Sequence, residues 1–554
     1  MKTLIQNGLI VDGTGAPAFS GDVVVEGACV AAVVPRAPEG ADGAPQGFDR
    51  VVDATGCLVT PGFIDAHAHS DAYLVIEPDA PSKVSQGVTT EINGQCGGSV
   101  APRYGEARLS SDWAAILGER LTWRSLAEYR AVLEAARPAL NTIQFIGHNT
   151  LRSSVVGYAG RAATADELAQ MARLLEESLD AGGWGLTTGL IYQPGKYATP
   201  EEVVQLAKVA AQKGGYYATH MRSEGDRILE AIDEVIDLVK ATGIRAEISH
   251  LKTSGKRNWG KIDAVLEKIE GAREAELLLG SDRYPFCAAG TDLDVVFPDW
   301  AGEGAAKAEC ARLADPATRQ RIVDEINAMD RDWSTVMIGG TWSEATKPFS
   351  GQSIAEILSR SSRPSRLSQN LSSRSLSSRP LSSPGELICS ILEKDGCKTG
   401  AFFFGMSEAN LDKILACPWI LPGSDASRRA PWGPLGADHP HPRAYATMPE
   451  FYRRVRALGV TREAAVRRMT GAVAERFGIA RRGVLARGNF ADLVVWREDA
   501  FRSTATYLEP HQFASGVQLT MVNGAIPYRD GAFTGERAGR LLERSGTLAI
   551  VRAK

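Results

Sequence analysis

From residue 61 to about residue 480 the sequence repeats one phrase: a short apolar run that ends in polar residues, followed by a stretch with helical spacing. GFIDAHAHSD is one such run, GVTTEINGQCGG a second and NTIQFIGHNTLR a third. GWGLTTGL follows, then the helix-patterned TPEEVVQLAKVAAQKG and the run GYYATH. Another helix-patterned stretch, DRILEAIDEVIDLVKATG, leads into RAEISH. Strands that alternate with helices form a parallel sheet. Repetition on this scale predicts an α/β fold, a (β/α)8 TIM-like barrel. In that fold the C-terminal ends of the strands open on one mouth, so the polar residues that close each run are the candidate site.

The two ends of the chain have another texture. Residues 1–60 (LIVDG, DVVVEGACVAAVV, RVVDATGCLVTPG) and residues 481–554 (ADLVVW, VQLTMVNG, AIPYRDG) are short apolar runs separated by turn residues. They predict one small β-domain built from both termini, since chain ends often lie close together. Two segments interrupt the barrel pattern. Residues 286–348 show no strand-end motif and are expected to form an insertion over the mouth, a lid or a peripheral helical element. Residues 359–385 are rich in Ser, with five Arg and no acid, and are expected to be a disordered, solvated insertion.

Charge and cysteine usage narrow the class. A formal net charge of -4 gives no basic field, so nucleic acid is not an expected partner. No run of about 18 uncharged apolar residues appears, so no membrane span is expected. The opening MKTLIQNGLIVDGTG is broken by Gln6, Asn7 and Asp12 and reads as a strand and turn, not a signal peptide, so the expected location is the cytoplasm. The eight cysteines are scattered, as reduced thiols are. Nothing in the sequence gives an oligomeric state.

The chain has only eight histidines, and four of them close strand-like runs: His67 and His69 in GFIDAHAH, His220 in GYYATH and His250 in RAEISH. Residues i and i+2 of a strand share a face, so His67 and His69 can reach one metal ion. His220 and His250, one helix plus one strand apart, would come from successive barrel strands. Cys96 ends TTEINGQC and precedes Gly97 and Gly98, which allow a tight backbone turn. Alone it reads as a buried structural thiol; beside four histidines at strand ends it reads as a zinc ligand. Asp425, in WILPGSDAS, alone reads as a turn or helix-cap residue; beside a metal site it is the candidate general base.

Together GFIDAHAHSD, GVTTEINGQCGGSVAP, GLTTGLIYQPGKYAT, YYATHMRSEGD, EISHLKTSG, GSDA and HPHPRAYATMPEF resemble the amidohydrolase superfamily, and most closely its N-acyl-D-amino-acid deacylases. The resemblance covers nearly the whole chain. Its specific mark is the cysteine: many relatives bridge two metals with a carboxylated lysine, whereas this group has a Cys at the Cys96 position. The resemblance implies a tight zinc site at Cys96, His220 and His250, a second, weaker one at His67 and His69, and Asp425 as acid/base. It further implies substrate contacts from Tyr192, Lys252, Tyr284 and Arg443, with Arg443 gripping the substrate α-carboxylate. His148 matches the family too and is read as structural. Three features depart from it: the Ser/Arg segment, the cationic RRAPWGPLGADH loop before Arg443, and Arg283 beside Tyr284.

The expected activity is zinc-dependent hydrolysis of the amide of an N-acyl-D-amino acid, a small-molecule substrate, giving a carboxylate and a free D-amino acid. The alternatives are ring opening of a cyclic amide, as in dihydropyrimidinases and dihydroorotases, and a metal-binding scaffold without catalysis.

Overall fold

The computed structural model describes residues 1–36, 47–107, 111–361 and 382–544. Five strands open the chain: β1 (Lys2–Ile10), β2 (Phe19–Glu26), β3 (Cys29–Pro35), β4 (Arg50–Asp53) and β5 (Leu58–Pro61). Then comes a parallel run: β6 (Phe63–Asp65), β7 (Val88–Asn93), β8 (Asn141–Gln144) continuing as β9 (Ile146–Gly147), β10 (Gly185–Gly189), β11 (Tyr216–His220), β12 (Arg245–Ile248) and β13 (Leu279–Arg283). A lobe follows with β14 (Ala289–Asp292), β15 (Val336–Ile338) and β16 (Gly400–Phe403), and the chain returns to the parallel set with β17 (Ile420–Pro422). It ends in β18 (Leu493–Trp496), β19 (Val517–Val522), β20 (Ala525–Arg529) and β21 (Ala532–Phe533).

With β8 and β9 as one interrupted strand, the parallel set has eight members. β6, β7 and β8 pair in order, as do β9, β10, β11, β12, β13 and β17. The gap between β17 and β6 is closed by Ala66 N–H donating to Pro422 O at 3.0 Å and by a parallel bridge from Ala68 to Ala426. This is the (β/α)8 barrel the repeated phrase predicts. The local chemistry of its helices is equally legible. Ala165–Asp180 begins in a Thr164/Glu167 capping box, Pro200–Gln212 has Thr199 as N-cap with Pro at the first position, and Ile228–Thr242 stops at the left-handed Gly243. Their apolar faces (Leu175, Leu206, Ile232 and Val235 among them) bury against the strands.

The terminal strands form one sheet, in the order β21-β20-β19-β18-β5-β1-β2-β3 with β4 on β1. β5 lies parallel to β1 and antiparallel to β18, so it joins the two ends of the chain. The sheet's core mixes Ile5, Ile10, Val23 and Val25 with Leu493, Val495, Leu519 and Met521.

The lobe differs from the sequence reading. The segment 286–348 holds two strands, β14 and β15, and both pair antiparallel with β16, more than 50 residues past that boundary. Periodicity could not show this, because β14 and β15 are four and three residues long and their partner follows the Ser/Arg segment. The lobe has its own hydrophobic core, including Leu293, Ile322, Ile338, Leu387 and Ile391. Of the segment 359–385, residues 359–361 end the helix Ile354–Ser361 and Pro384 starts the helix Pro384–Lys394; its centre, 362–381, lies outside the described residues. Among the described residues no helix is long and apolar enough to cross a membrane.

Inside the lobe two carboxyls face each other. Burial, then the neighbouring Glu309, pushes Asp294 up to about 8; burial pushes Glu309 up to about 7. Both lie above the ordinary carboxyl values, so the folded lobe holds protons that the unfolded chain releases. The stability this contributes is complete below about pH 4 and is lost as the pH rises through 7 to 8. Asp294→Asn is expected to raise Tm relative to wild type at about pH 8.5 and to flatten the loss of stability between about pH 6 and that value. Parallel wild-type and variant Tm–pH profiles would contradict the pairing.

Candidate metal and active site

Every predicted ligand stands at or just beyond the C-terminal end of a barrel strand. His67 and His69 follow β6, Cys96 follows β7, His220 ends β11, His250 follows β12 and Asp425 follows β17. Their ligand atoms form two groups, each within 4.8 Å: His67, His69, Cys96 and Asp425; and Cys96, His220 and His250. Cys96 belongs to both. Its Sγ lies 3.4 Å from His67 Nε2 and 3.3 Å from His250 Nε2. Asp425 Oδ1 is 3.0 Å from His69 Nε2 and 3.4 Å from His67 Nε2.

The backbone is strained where the side chains converge. Cys96 (φ 51°), His250 (φ 39°) and Asp425 (φ 50°) all lie in the left-handed region, which side chains with a Cβ rarely adopt. Close packing holds them there. A Cβ on Gly97 would fall 2.6 Å from Gly189 N, and one on Gly423 would fall 2.6 Å from both Asp282 Oδ1 and His67 Cβ.

The site fits a metal ion. Among the described residues neither ring nitrogen of the buried His220 has a hydrogen-bond partner, although an orphaned buried imidazole is costly. A thiolate, imidazoles and a carboxylate within reach of one another are a zinc donor set. Burial opposes ionisation of Cys96, but the His250 and His67 rings outweigh it and hold the thiol well below its ordinary value. Burial likewise opposes the Asp425 carboxylate, yet Arg443 and then His250 keep it well below the usual range.

Two carboxylates escaped the sequence reading. Asp282 Oδ2 is 3.1 Å from His67 Nδ1 while its Oδ1 accepts from His250 N at 3.0 Å. Glu224 Oε1 is 3.0 Å from His250 Nδ1. Each engages the outer nitrogen of a histidine and so turns Nε2 toward the metal position, the usual companion of an imidazole ligand. Signals existed: GSD occurs at 280–282 as well as at 423–425, and Glu224 lies four residues past His220.

A cavity of about 550 Å³ opens over the cluster, walled by His69, Cys96, Tyr192, Asp425 and Arg443 on the barrel side and by Thr291, Trp342, Lys398 and Phe402 from the lobe. Tyr192 stacks edge-on against His220, ring centroids 4.9 Å apart. The Arg443 guanidinium donates to Asp425 Oδ2 at 2.7 Å and to Gly290 O at 3.1 Å. Lys252 and Tyr284, expected to contact substrate, are not part of this wall. The Lys252 ammonium is drawn back onto Glu224 and lies 2.7 Å from His250 Nδ1. Tyr284 is fully buried, with the Arg443 and Arg283 guanidinium carbons 4.7 and 4.0 Å from its ring centre. Arg283, the unexpected charge, stacks on this ring and donates to Phe286 O at 2.8 Å. His148 pairs with the buried Glu202 at 2.9 Å, as a structural histidine does.

A parallel barrel whose strand ends converge two overlapping His/Cys/Asp ligand groups on one cavity defines a metal-dependent amidohydrolase. The amidohydrolase family profile matches residues 50–291. The D-aminoacylase of Alcaligenes xylosoxydans xylosoxydans is 32% identical over 547 residues, covering 98% of this chain and 97% of its own length. The N-acyl-D-glutamate deacylase of the same organism is 32% identical over 553 residues, covering 99% and 98%. The solved structure of N-acyl-D-glutamate deacylase from Bordetella bronchiseptica, complexed with zinc and a phosphonate mimic of the tetrahedral intermediate, superimposes with a TM-score of 0.78 at 31% identity, covering 98% of this chain and 99% of that one. The chain belongs to the N-acyl-D-amino-acid deacylase family of amidohydrolases.

Proposed function

We propose that this protein uses zinc to hydrolyse the amide bond of N-acyl-D-amino acids, releasing a carboxylate and a free D-amino acid. The observation that carries this is Cys96 standing between two histidine groups, with Asp425 3.0 Å from His69, in a chain related over nearly its full length to a D-aminoacylase and an N-acyl-D-glutamate deacylase.

Cys96, His220 and His250 would hold the tight zinc, and His67 and His69, with Cys96 and Asp425 beside them, a second, weaker one. When bound there, zinc would supply Lewis acidity toward the acyl carbonyl and toward water. Asp425 takes the proton of the attacking water and delivers it to the departing nitrogen. Tyr192, on the cavity wall beside His220, steadies the developing oxyanion. Arg443 grips the substrate α-carboxylate, turning to it the guanidinium that is now shared between Asp425 and Gly290 O. Lys252 and Tyr284 serve from one layer back, Lys252 on the Glu224–His250 pair and Tyr284 under Arg443. All eight cysteines are free thiols, which supports a reducing compartment, the cytoplasm.

The test is amino-acid release from paired N-acetyl-D- and N-acetyl-L-leucine, methionine, glutamate and aspartate, with zinc determined on the same sample. Release from D substrates alone, with at least one tightly held zinc per chain, is expected. A folded, zinc-loaded protein that releases nothing from either enantiomer, but opens hydantoin or dihydroorotate, would replace this reading with cyclic-amide hydrolysis.

A further inference from the structure

Behind the metal cluster, inside the barrel, four charged side chains are buried together: Lys83, Asp65, Glu91 and Arg428, each no more than 1% exposed. Lys83 is their hub. It reaches in from the short helix Pro81–Val84, ahead of β7. Its Nζ lies 2.7 Å from Asp65 Oδ2, 2.9 Å from Ser424 Oγ, 3.1 Å from Ala426 O and 3.3 Å from Glu91 Oε1. An ammonium sealed from water persists only where it is so fully matched. Arg428 balances the second carboxylate, donating to Glu91 Oε2 at 2.7 Å.

The contacts of Lys83 fall on either side of Asp425. Ser424 and Ala426 flank it, and Asp425 itself holds the left-handed conformation that a free turn would abandon. The same Asp65 that pairs with Lys83 accepts from Ser424 N at 2.8 Å and from His67 N at 3.3 Å. The Asp425 N–H donates to His67 O at 2.8 Å. One buried cation therefore fixes the turn that carries Asp425 and ties it to the strand end that carries the H-x-H pair. The hub makes no hydrogen bond to Cys96, His220 or His250, and Lys83 does not reach the cavity wall.

We infer that Lys83 is a positioning residue for the reaction, acting through the Ser424–Ala426 turn to hold the Asp425 carboxylate over the metal cluster. This rests on Asp425 being the proton-transfer group. A lysine that only stabilised the barrel would damage activity in proportion to folding and independently of Asp425. A lysine that acts through Asp425 has nothing left to lose once that carboxylate is gone.

A double-mutant cycle separates the two. Lys83→Met and Ser424→Ala are each made in the wild-type and Asp425→Asn backgrounds of the full chain, loaded with zinc. They are assayed on whichever N-acetyl-D-amino acid the wild type turns over fastest. In the wild-type background kcat is expected to fall about 30-fold or more for Lys83→Met and about 3- to 10-fold for Ser424→Ala, with KM within about twofold and zinc per chain unchanged. In the Asp425→Asn background neither substitution is expected to remove more than about twofold further. Should Lys83→Met fail to fold, the Ser424→Ala cycle decides alone, since it deletes one hydroxyl and leaves the buried charges paired. Additive losses in the two backgrounds, an unchanged kcat, or a KM that rises with the loss would overturn the inference while leaving the base assignment intact. An Asp425→Asn enzyme that retained wild-type kcat would instead overturn the base assignment, and this inference with it.

Discussion

Asp425→Asn is expected to leave a folded, zinc-bearing protein whose kcat is lower by about 10²- to 10⁴-fold, the range set by losing a positioned general acid/base. The substitution keeps the size of the side chain and an oxygen for Arg443, which donates to Asp425 Oδ2 at 2.7 Å. It takes away the capacity to accept and return a proton. None of the tight-site ligands is touched, because the group of Cys96, His220 and His250 does not include Asp425. Steady-state kinetics, zinc content and Tm on one preparation check all three parts. A variant with near wild-type kcat would remove Asp425 from the mechanism. A variant that lost its zinc would show that the carboxylate is needed for metal retention.

Cys96→Ala should have the broader effect. Cys96 is the one residue common to both ligand groups, and against the cost of its burial the His250 and His67 rings hold its thiol well below the ordinary value. Without it the tight position keeps two imidazoles and the second position loses its link to them. Zinc is expected to fall well below one per chain after dialysis, and kcat/KM by about 10³-fold or more, the loss that follows when Lewis-acid stabilisation of several kcal/mol is withdrawn. His67→Ala, by contrast, should keep the tight zinc. Metal analysis beside kcat/KM distinguishes the two variants. Full zinc occupancy in Cys96→Ala would show that the thiol is structural.

What could be read from sequence followed the physics of periodicity. The barrel was legible because each strand is followed by a helix, and the candidate ligands stood out as polar residues at the ends of apolar runs. Glu224 and Asp282 were harder to see, since a carboxylate in a polar loop looks solvated until folding buries it against an imidazole. Lys83, in the polar stretch PSKVSQG, gave no sign that it would be sealed inside the barrel. Nor does sequence show that Lys252 pairs with Glu224 beside His250, or that Tyr284 lies under the Arg443 and Arg283 guanidiniums, because it does not say which way a side chain turns once a stronger partner is within reach. The lobe was cut short for another reason: its sheet is closed by a strand that follows the Ser/Arg segment, and pairing across such a distance leaves no local trace.

The joining of both chain ends through β5 also sets a timetable. Some 430 residues separate Pro61 from its partner Leu493. During synthesis at about 5–20 residues per second, the first strands therefore wait tens of seconds for the neighbour that completes their core. In that interval Ile5, Ile10, Val23 and Val25 lack the apolar partners they will have in the finished molecule. The newborn chain therefore leaves the ribosome with its first sheet half-covered, and that sheet is sealed only after the barrel strands have all been made.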